Sequence, residues 1–273
     1  MAVWPKAGPL TNVVTAVLVA PLVFLLGVLY FFLPLVATLD FSLKAKPPFA
    51  AYTSSLQDPK FLGSLLYSLV IAGVTITASL ALIVPTAYWV QLRVPRARSL
   101  VEFVTLLPFV IPAVVLVFGL IRVYSRPPLP FTHTDIGSSA LLVAGYIVLS
   151  LPYMYRAVDT GLRSIDIRSL TEAAQSMGAG WLTILWRVIL PNLRVALLSG
   201  AFLTLAIVLG EFTIANFLAR PAFGPYLNLL SQSKAYEPAA VSLISFGLTW
   251  LAMIAIAFLG RDTRTRIEIG GAH

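Results

Sequence analysis

Few side chains here can do chemistry, and their placement excludes most of it. The only histidines are His133 and His273, and there is no cysteine. Thiol nucleophiles, zinc ribbons and disulfide frameworks are therefore out. No H-E-x-x-H, G-x-S-x-G or G-x-x-x-x-G-K-[ST] pattern can be written on the sequence. Gly178-Ala179-Gly180 begins like a dinucleotide fingerprint, but it follows a helix pattern rather than a strand, and the later glycine is missing. Asp and Glu together number 11, and no two sit at helical spacing within an apolar stretch. A buried acid/base pair or metal site is not expected from such a set. The expectation is a chain with no catalytic residue, no metal and no cofactor of its own.

The elements that position these residues follow from composition. Of 273 residues, 59% are hydrophobic and 11% charged, with mean hydropathy +0.90. A soluble domain carries roughly 25% charged residues, so this chain has too few ionic groups to cover its surface. It reads as an all-α integral membrane protein. Six apolar stretches of spanning length occur, near Val13–Leu39, Leu62–Leu92, Leu100–Ile121, Ser138–Tyr155, Val195–Leu218 and Ala239–Gly260. The first is too long for a signal-peptide core and follows a single Lys6.

Lys and Arg alternate between the gaps. Twelve fall with Lys6, the Arg93–Arg98 turn, the Arg156–Arg194 gap and the C-terminal Arg261, Arg264 and Arg266, against seven on the other side. The positive-inside rule puts both termini in the cytoplasm. The net charge of +8 is thus a topology signal, and no nucleic-acid partner is expected.

Prolines punctuate the spans at Pro21, Pro34, Pro85, Pro108, Pro112 and Pro152. They are common in membrane helices, yet Leu107–Pro112 also suits a bent helix lining a cavity. Small residues at Gly73, Ala78, Ser79, Ala81, Ser199, Gly200 and Ala201 suit close helix packing.

The gap between the fourth and fifth stretches is not loop-like. Leu170, Ala173, Ala174, Met177, Trp181, Ile184, Leu185 and Val188 make one apolar stripe at helical period. Gly178 and Gly180 interrupt it, so a hairpin of two short helices, near 166–177 and 181–189, is expected within 161–191. Pro191 then leads into the fifth span. Such a hairpin can bury its stripe on the membrane interface, on its own bundle or on another protein. For Glu172 two readings stand: a capping box with Ser169, or a pair with a basic group on a partner or within the hairpin.

Glu172-Ala173-Ala174, Gly178 and Val188-Ile189-Leu190-Pro191 resemble the E-A-A-x-x-x-G-x(9)-I-x-L-P signature of permease subunits of binding-protein-dependent ABC importers. The one departure is Val188, where isoleucine is usual. The resemblance implies a single six-helix type I importer transmembrane domain over residues 1–273, in a bacterial inner membrane, with the hairpin as coupling helix. Glu172, Ala173, Ala174, Gly178, Ala179 and Pro191 would then engage a cytoplasmic ATPase subunit that carries the ATP and Mg. A second permease, a paralogue rather than a copy, and an extracytoplasmic solute-binding protein are the other implied partners, besides membrane lipid.

Leu209-Gly210-Glu211-Phe212 and Phe223-Gly224-Pro225-Tyr226-Leu227 look most like the spermidine/putrescine-type branch, which implies a polyamine. Ferric iron, thiamine, phosphonate, sulfate and molybdate are the alternatives. A buried carboxylate is costly unless it meets a cavity or partner. Glu211 is accordingly read either as hydrogen-bonded between helices near the outer interface or as a pathway residue with Phe212, Asn216 and Tyr153. A secondary transporter would show inverted repeats and coupling carboxylates, which the sequence lacks. A docking scaffold without transport is the other rival.

Overall fold

The computed structural model describes residues 19–261, and among these there is no strand. Lys6, Arg264, Arg266, His273 and both termini lie outside the described residues. Helix α1 (Ala20–Leu43) carries Pro21 in its first turn, where a missing N–H costs nothing. A short α2 (Ala50–Gln57) leads to α3 (Pro59–Leu92), whose start is capped by the Asp58 carboxylate accepting from the Lys60 N–H at 2.9 Å. Then come α4 (Arg98–Val110), α5 (Ala113–Tyr124) and α6 (Asp135–Arg163). The hairpin is α7 (Ile167–Ser176) and α8 (Trp181–Asn192). The chain continues as α9 (Arg194–Gly210), α10 (Thr213–Phe217), α11 (Phe223–Ser233) and α12 (Glu237–Arg261).

By length and composition, α1, α3, α6 and α12 can each cross a membrane, and two bent pairs raise the number to as many as six. The sequence reading treats Leu100–Ile121 as one span. The structure breaks it at Ile111-Pro112, with 100° between the two parts. A proline removes the N–H that would continue α4 and pushes the residue before it into extended backbone; Ile111 sits at ψ 113. Pro34, Pro85, Pro108 and Pro152 lie inside continuous helices. Val195–Leu218 is likewise interrupted, at Glu211-Phe212. The helices around the second and fourth stretches run further than the apolar residues alone suggest, and the hairpin proper starts only after Arg163.

Packing has two ends. At the hairpin end, Ile83, Val84 and Tyr88 of α3 and Met154, Val158 and Leu162 of α6 bury against Ala174, Ile184, Leu185 and Ile189 of the hairpin. At the far end, Ile71, Leu142, Tyr146, Val208 and Ile214 form a second core. Hydroxyls stitch α3 to its neighbours: Tyr67 to Ser139 at 2.8 Å, Ser79 to Ser150 at 3.3 Å and Tyr88 to Thr171 at 3.1 Å. Between helices in a membrane, such polar contacts and small residues replace the hydrophobic drive available in water. Helix α1 buries only Ser42 and packs alongside α12, with the Phe31 and Phe246 rings 6.4 Å apart. Its exposed Phe24, Tyr30 and Leu33 form a face suited to lipid rather than water.

Candidate functional site

The hairpin owes its shape to two local devices. At its start the Asp166 carboxylate accepts from the Ser169 N–H at 3.1 Å and from the Ser169 hydroxyl at 2.7 Å. These bonds hold the Asp166 carboxyl below its ordinary range. The cap is therefore Asp166, and the capping box between Ser169 and Glu172 does not form. Glu172 lies mid-helix and exposed, its carboxylate without a partner among the described residues.

At the other end of α7, Gly178 takes φ +80. The Ala179 N–H reaches back to the Ala174 carbonyl at 3.0 Å and the Gly178 N–H to that of Gln175 at 2.9 Å. That is a Schellman termination, with Ala174 and Ala179 packing into the same apolar core. Three of the six hairpin residues picked out by sequence, Ala174, Gly178 and Ala179, thus build the turn itself. A side chain at Gly178 would meet open space, so the constraint there is backbone conformation.

Pro191 lies in the last turn of α8, past a π-helical stretch at Leu185–Ile189. Asn192 donates its side-chain amide to the Val188 carbonyl at 2.7 Å, and α8 meets α9 at 80°. The apolar stripe divides. Ala174, Ile184 and Leu185 turn inward, while Glu172, Ala173, Met177 and Trp181 face out, joined by Leu182 and Trp186. Met177 is 81% exposed. One face of the hairpin is spent on its own bundle and the other carries an outward apolar patch with a carboxylate on it, where Trp181 meets the Trp89 ring edge-on at 6.5 Å.

Beneath the hairpin lies an ionic cluster that sequence reasoning missed. Asp159, 5% exposed, accepts from Gln91 at 3.0 Å, pairs with Arg163 and lies 3.6 Å from Arg98. Glu102 accepts from Arg98 at 2.9 Å and lies 3.4 Å from Arg163. The cluster fastens the ends of α3, α4 and α6 together. Its signals in the sequence are two opposite-charge pairs at i,i+4, Arg98–Glu102 and Asp159–Arg163. Removing Asp159 takes a buried acceptor from Gln91 and leaves Glu102 alone, among the described residues, to face both Arg98 and Arg163. Asp159→Ala is expected to cost about 2 kcal/mol, read as a lower melting temperature of the purified chain in detergent.

The four pathway candidates are not brought together. Glu211 interrupts α9, and its carboxylate accepts from the Ile214 N–H at 2.9 Å and the Ala215 N–H at 3.4 Å. It satisfies the first turn of α10 within its own chain, whereas sequence offered a contact between helices or a path. Gly224 of α11 lies hard against this break: a Cβ there would stand 2.5 Å from the Glu211 carbonyl oxygen. The neighbouring Tyr146, fully buried, puts its hydroxyl within electrostatic reach of Glu211. Phe212 lines a cavity of about 780 Å³ between α9, α11 and α12. Asn216 opens instead onto a different cavity, of about 740 Å³, with Lys60, Tyr67 and Arg220. Tyr153 lines a third, of about 670 Å³, toward the hairpin end. Among the described residues no three His, Asp or Glu side chains are grouped to hold a metal.

Similarity to known proteins accords with this geometry. The all-helical arrangement matches a crystal structure of a bacterial alginate ABC transporter in complex with a periplasmic protein, with TM-score 0.69 and 15% identity over 89% of this chain and 94% of that one. A probable molybdenum ABC transporter permease protein of Haloferax volcanii is 29% identical over 86% of this chain and 87% of its own length. A spermidine/putrescine transport system permease protein of Haemophilus influenzae is 25% identical over 60% of this chain and 61% of its own. A putative ferric transport system permease protein of the same organism is 33% identical over 50% of this chain, which spans only 21% of that longer relative. Residues 83–264 match the family described as binding-protein-dependent transport system inner membrane component. The chain belongs to that family and is a multi-pass inner-membrane permease with the all-α fold of a type I ABC importer transmembrane domain.

Proposed function

We propose that this permease forms half of a solute path and that its hairpin couples the path to a separate cytoplasmic ATPase subunit. The observation that carries the reading is the division of the hairpin. Ala174, Ile184 and Ile189 lock it onto α3 and α6, so it moves as one body with them. Glu172, Ala173 and Met177 are left outward for a partner. An ATPase closing on its nucleotide would push a hairpin built this way as a nearly rigid piece. ATP and Mg belong to that subunit, and this chain is not itself an enzyme. On the charge bias, the hairpin and both termini face the cytoplasm. A second permease, a paralogue, completes the pore, and a solute-binding protein delivers cargo from outside.

Purification from native membranes in mild detergent is expected to bring out an ATP-binding subunit and a second permease with this chain. Glu172→Lys is expected to leave the chain in the membrane and cut ATPase stimulation and uptake about tenfold, as loss of one charge-assisted contact would. A chain that emerges alone and stabilises no ATPase would sink the reading in favour of a scaffold.

For the cargo, the polyamine reading rests on the sequence resemblance and on one relative named for spermidine/putrescine. Relatives named for molybdenum and ferric transport have similar identity. The Glu211 carboxylate accepts from the Ile214 N–H, which ties it to the start of α10 and leaves its negative charge in place.

A further inference from the structure

Near the hairpin end, α6 presents Tyr153, Arg156, Ala157, Thr160, Gly161 and Ser164 at i, i+3, i+4, i+7, i+8 and i+11, one helical face. Helix α4 walls this face with Leu106 and Phe109, and α9 with Val195, Ser199 and Leu203. The groove between them holds about 670 Å³. Most of its polar atoms are already engaged. Ser164 donates to the Gly161 carbonyl at 2.8 Å, Ser199 to that of Val195 at 2.8 Å, and the Asn192 amide to that of Val188.

Arg156 differs: its guanidinium has no ion pair or hydrogen bond among the described residues, and no Asp or Glu lines the groove. The nearby carboxylate, Asp159, three residues further along α6, is buried outside the groove and held by Gln91, Arg98 and Arg163. Thr160, one turn further along the same face, and Tyr153 bring hydroxyls that the described residues leave unused. The groove therefore joins one uncompensated cation to two free hydroxyl donors between apolar walls. Arg156 is exposed, so a diffusing anion can reach it, and it has no ion pair to give up among the described residues. A guanidinium fork with flanking hydroxyls suits the paired oxygens of a tetrahedral oxyanion.

We infer that this groove is an oxyanion site, with Arg156 as charge anchor and Thr160 and Tyr153 as hydroxyl donors. The ligand class is phosphate-, sulfate- or molybdate-like: either a free solute or the phosphate of a net-anionic lipid headgroup, one that no choline neutralises as in phosphatidylcholine. Only the first source rests on the importer reading, since it makes the anion cargo. A polyamine would meet a like charge here.

The test uses the full chain with whatever subunits co-purify, in nanodiscs of phosphatidylcholine, with ionic strength matched by chloride. Sulfate, molybdate or spermidine is added and the melting temperature followed. Saturable protection by sulfate or molybdate is expected. Arg156→Gln should weaken it about tenfold, Arg156→Lys less, and Thr160→Val should show an intermediate loss. Protection that appears only when phosphatidylglycerol is doped into the discs, and disappears in Arg156→Gln, assigns the anion to the lipid phosphate and upholds the site. Protection that Arg156→Gln leaves intact, no protection of the wild type from either source, or protection by spermidine that Arg156→Gln improves would each overturn it. Arg156 is exposed and makes no hydrogen bond or ion pair among the described residues, so its replacement is expected to leave the fold standing. An oxyanion site in a chain that carries no ATPase would keep this inference and remove the importer reading, so the two fail separately.

Discussion

Gly178→Val is expected to cut ATP-driven uptake in reconstituted vesicles about tenfold or more while the chain still inserts and stays folded. Gly178 closes α7 with φ +80, its N–H donating to the Gln175 carbonyl and the Ala179 N–H to that of Ala174. A side chain in the left-handed region costs about 1–2 kcal/mol per residue, more with a branched Cβ. Nothing in the chain lies within 4 Å of a Cβ at Gly178, so the bundle itself does not resist the substitution. The cost falls on the turn that sets α7 against α8, and with it the outward patch of Glu172, Ala173 and Met177. Losing about 1.4 kcal/mol of docking free energy lowers the docked fraction tenfold, so uptake should fall by about that factor or more. Gly178→Asn separates conformation from bulk, because asparagine tolerates this backbone region. If Asn restores coupling, the turn is what matters; if Asn fails as badly as Val, the partner subunit needs the bare backbone. Undiminished uptake with Val would end the coupling role.

The second large effect is expected at Gly224. Even Gly224→Ala places a Cβ 2.5 Å from the Glu211 carbonyl oxygen and 3.0 Å from the Phe212 Cα. Both obstacles are backbone, so no rotamer relieves them; α11 or the break between α9 and α10 has to shift. Overpacking costs typically 1–3 kcal/mol, and a backbone-on-backbone clash belongs at the upper end, about 3 kcal/mol. A shift of the break also disturbs the Glu211 bonds to Ile214 and Ala215. Gly210→Ala is the control, since a Cβ there has open space one residue before Glu211. Thermal unfolding in detergent, with limited proteolysis across 210–224, should show Gly224→Ala clearly destabilised and Gly210→Ala near wild type. Equal stability of the two would mean that α11 does not brace the break.

Apolar length and charge bias were enough to read a membrane bundle with a folded hairpin between α6 and α9. The period of Leu170–Val188 named the hairpin because it needs only local regularity, and Gly178 named its turn because few other residues accept that φ. What stayed hidden was non-local. Whether Pro112 breaks a helix while Pro85 and Pro152 do not depends on what packs around each. The role of Glu211 turned on an extended residue after Gly210, which an apolar pattern does not mark. The Asp159 cluster draws Gln91, Arg98 and Arg163 from three helices and becomes visible only once those helices are side by side.

The length of α3 has a mechanical consequence. Its 34 residues make a rod about 51 Å long, well beyond a hydrocarbon layer of ~30 Å. At its first turns Ser68 accepts from the Phe223 N–H at 2.8 Å, and Tyr226 of α11 donates to Asp58 at 3.0 Å. At its last turns Tyr88 and Gln91 grip Thr171 of the hairpin and Asp159. A rod held at both ends, with the buried Ser79–Ser150 contact near its middle as fulcrum, is a lever. A tilt of about 5° swings each tip by roughly 2 Å, in opposite directions. Force applied at the hairpin then reaches the α11 side of the bundle within one stiff element, without any helix having to unwind.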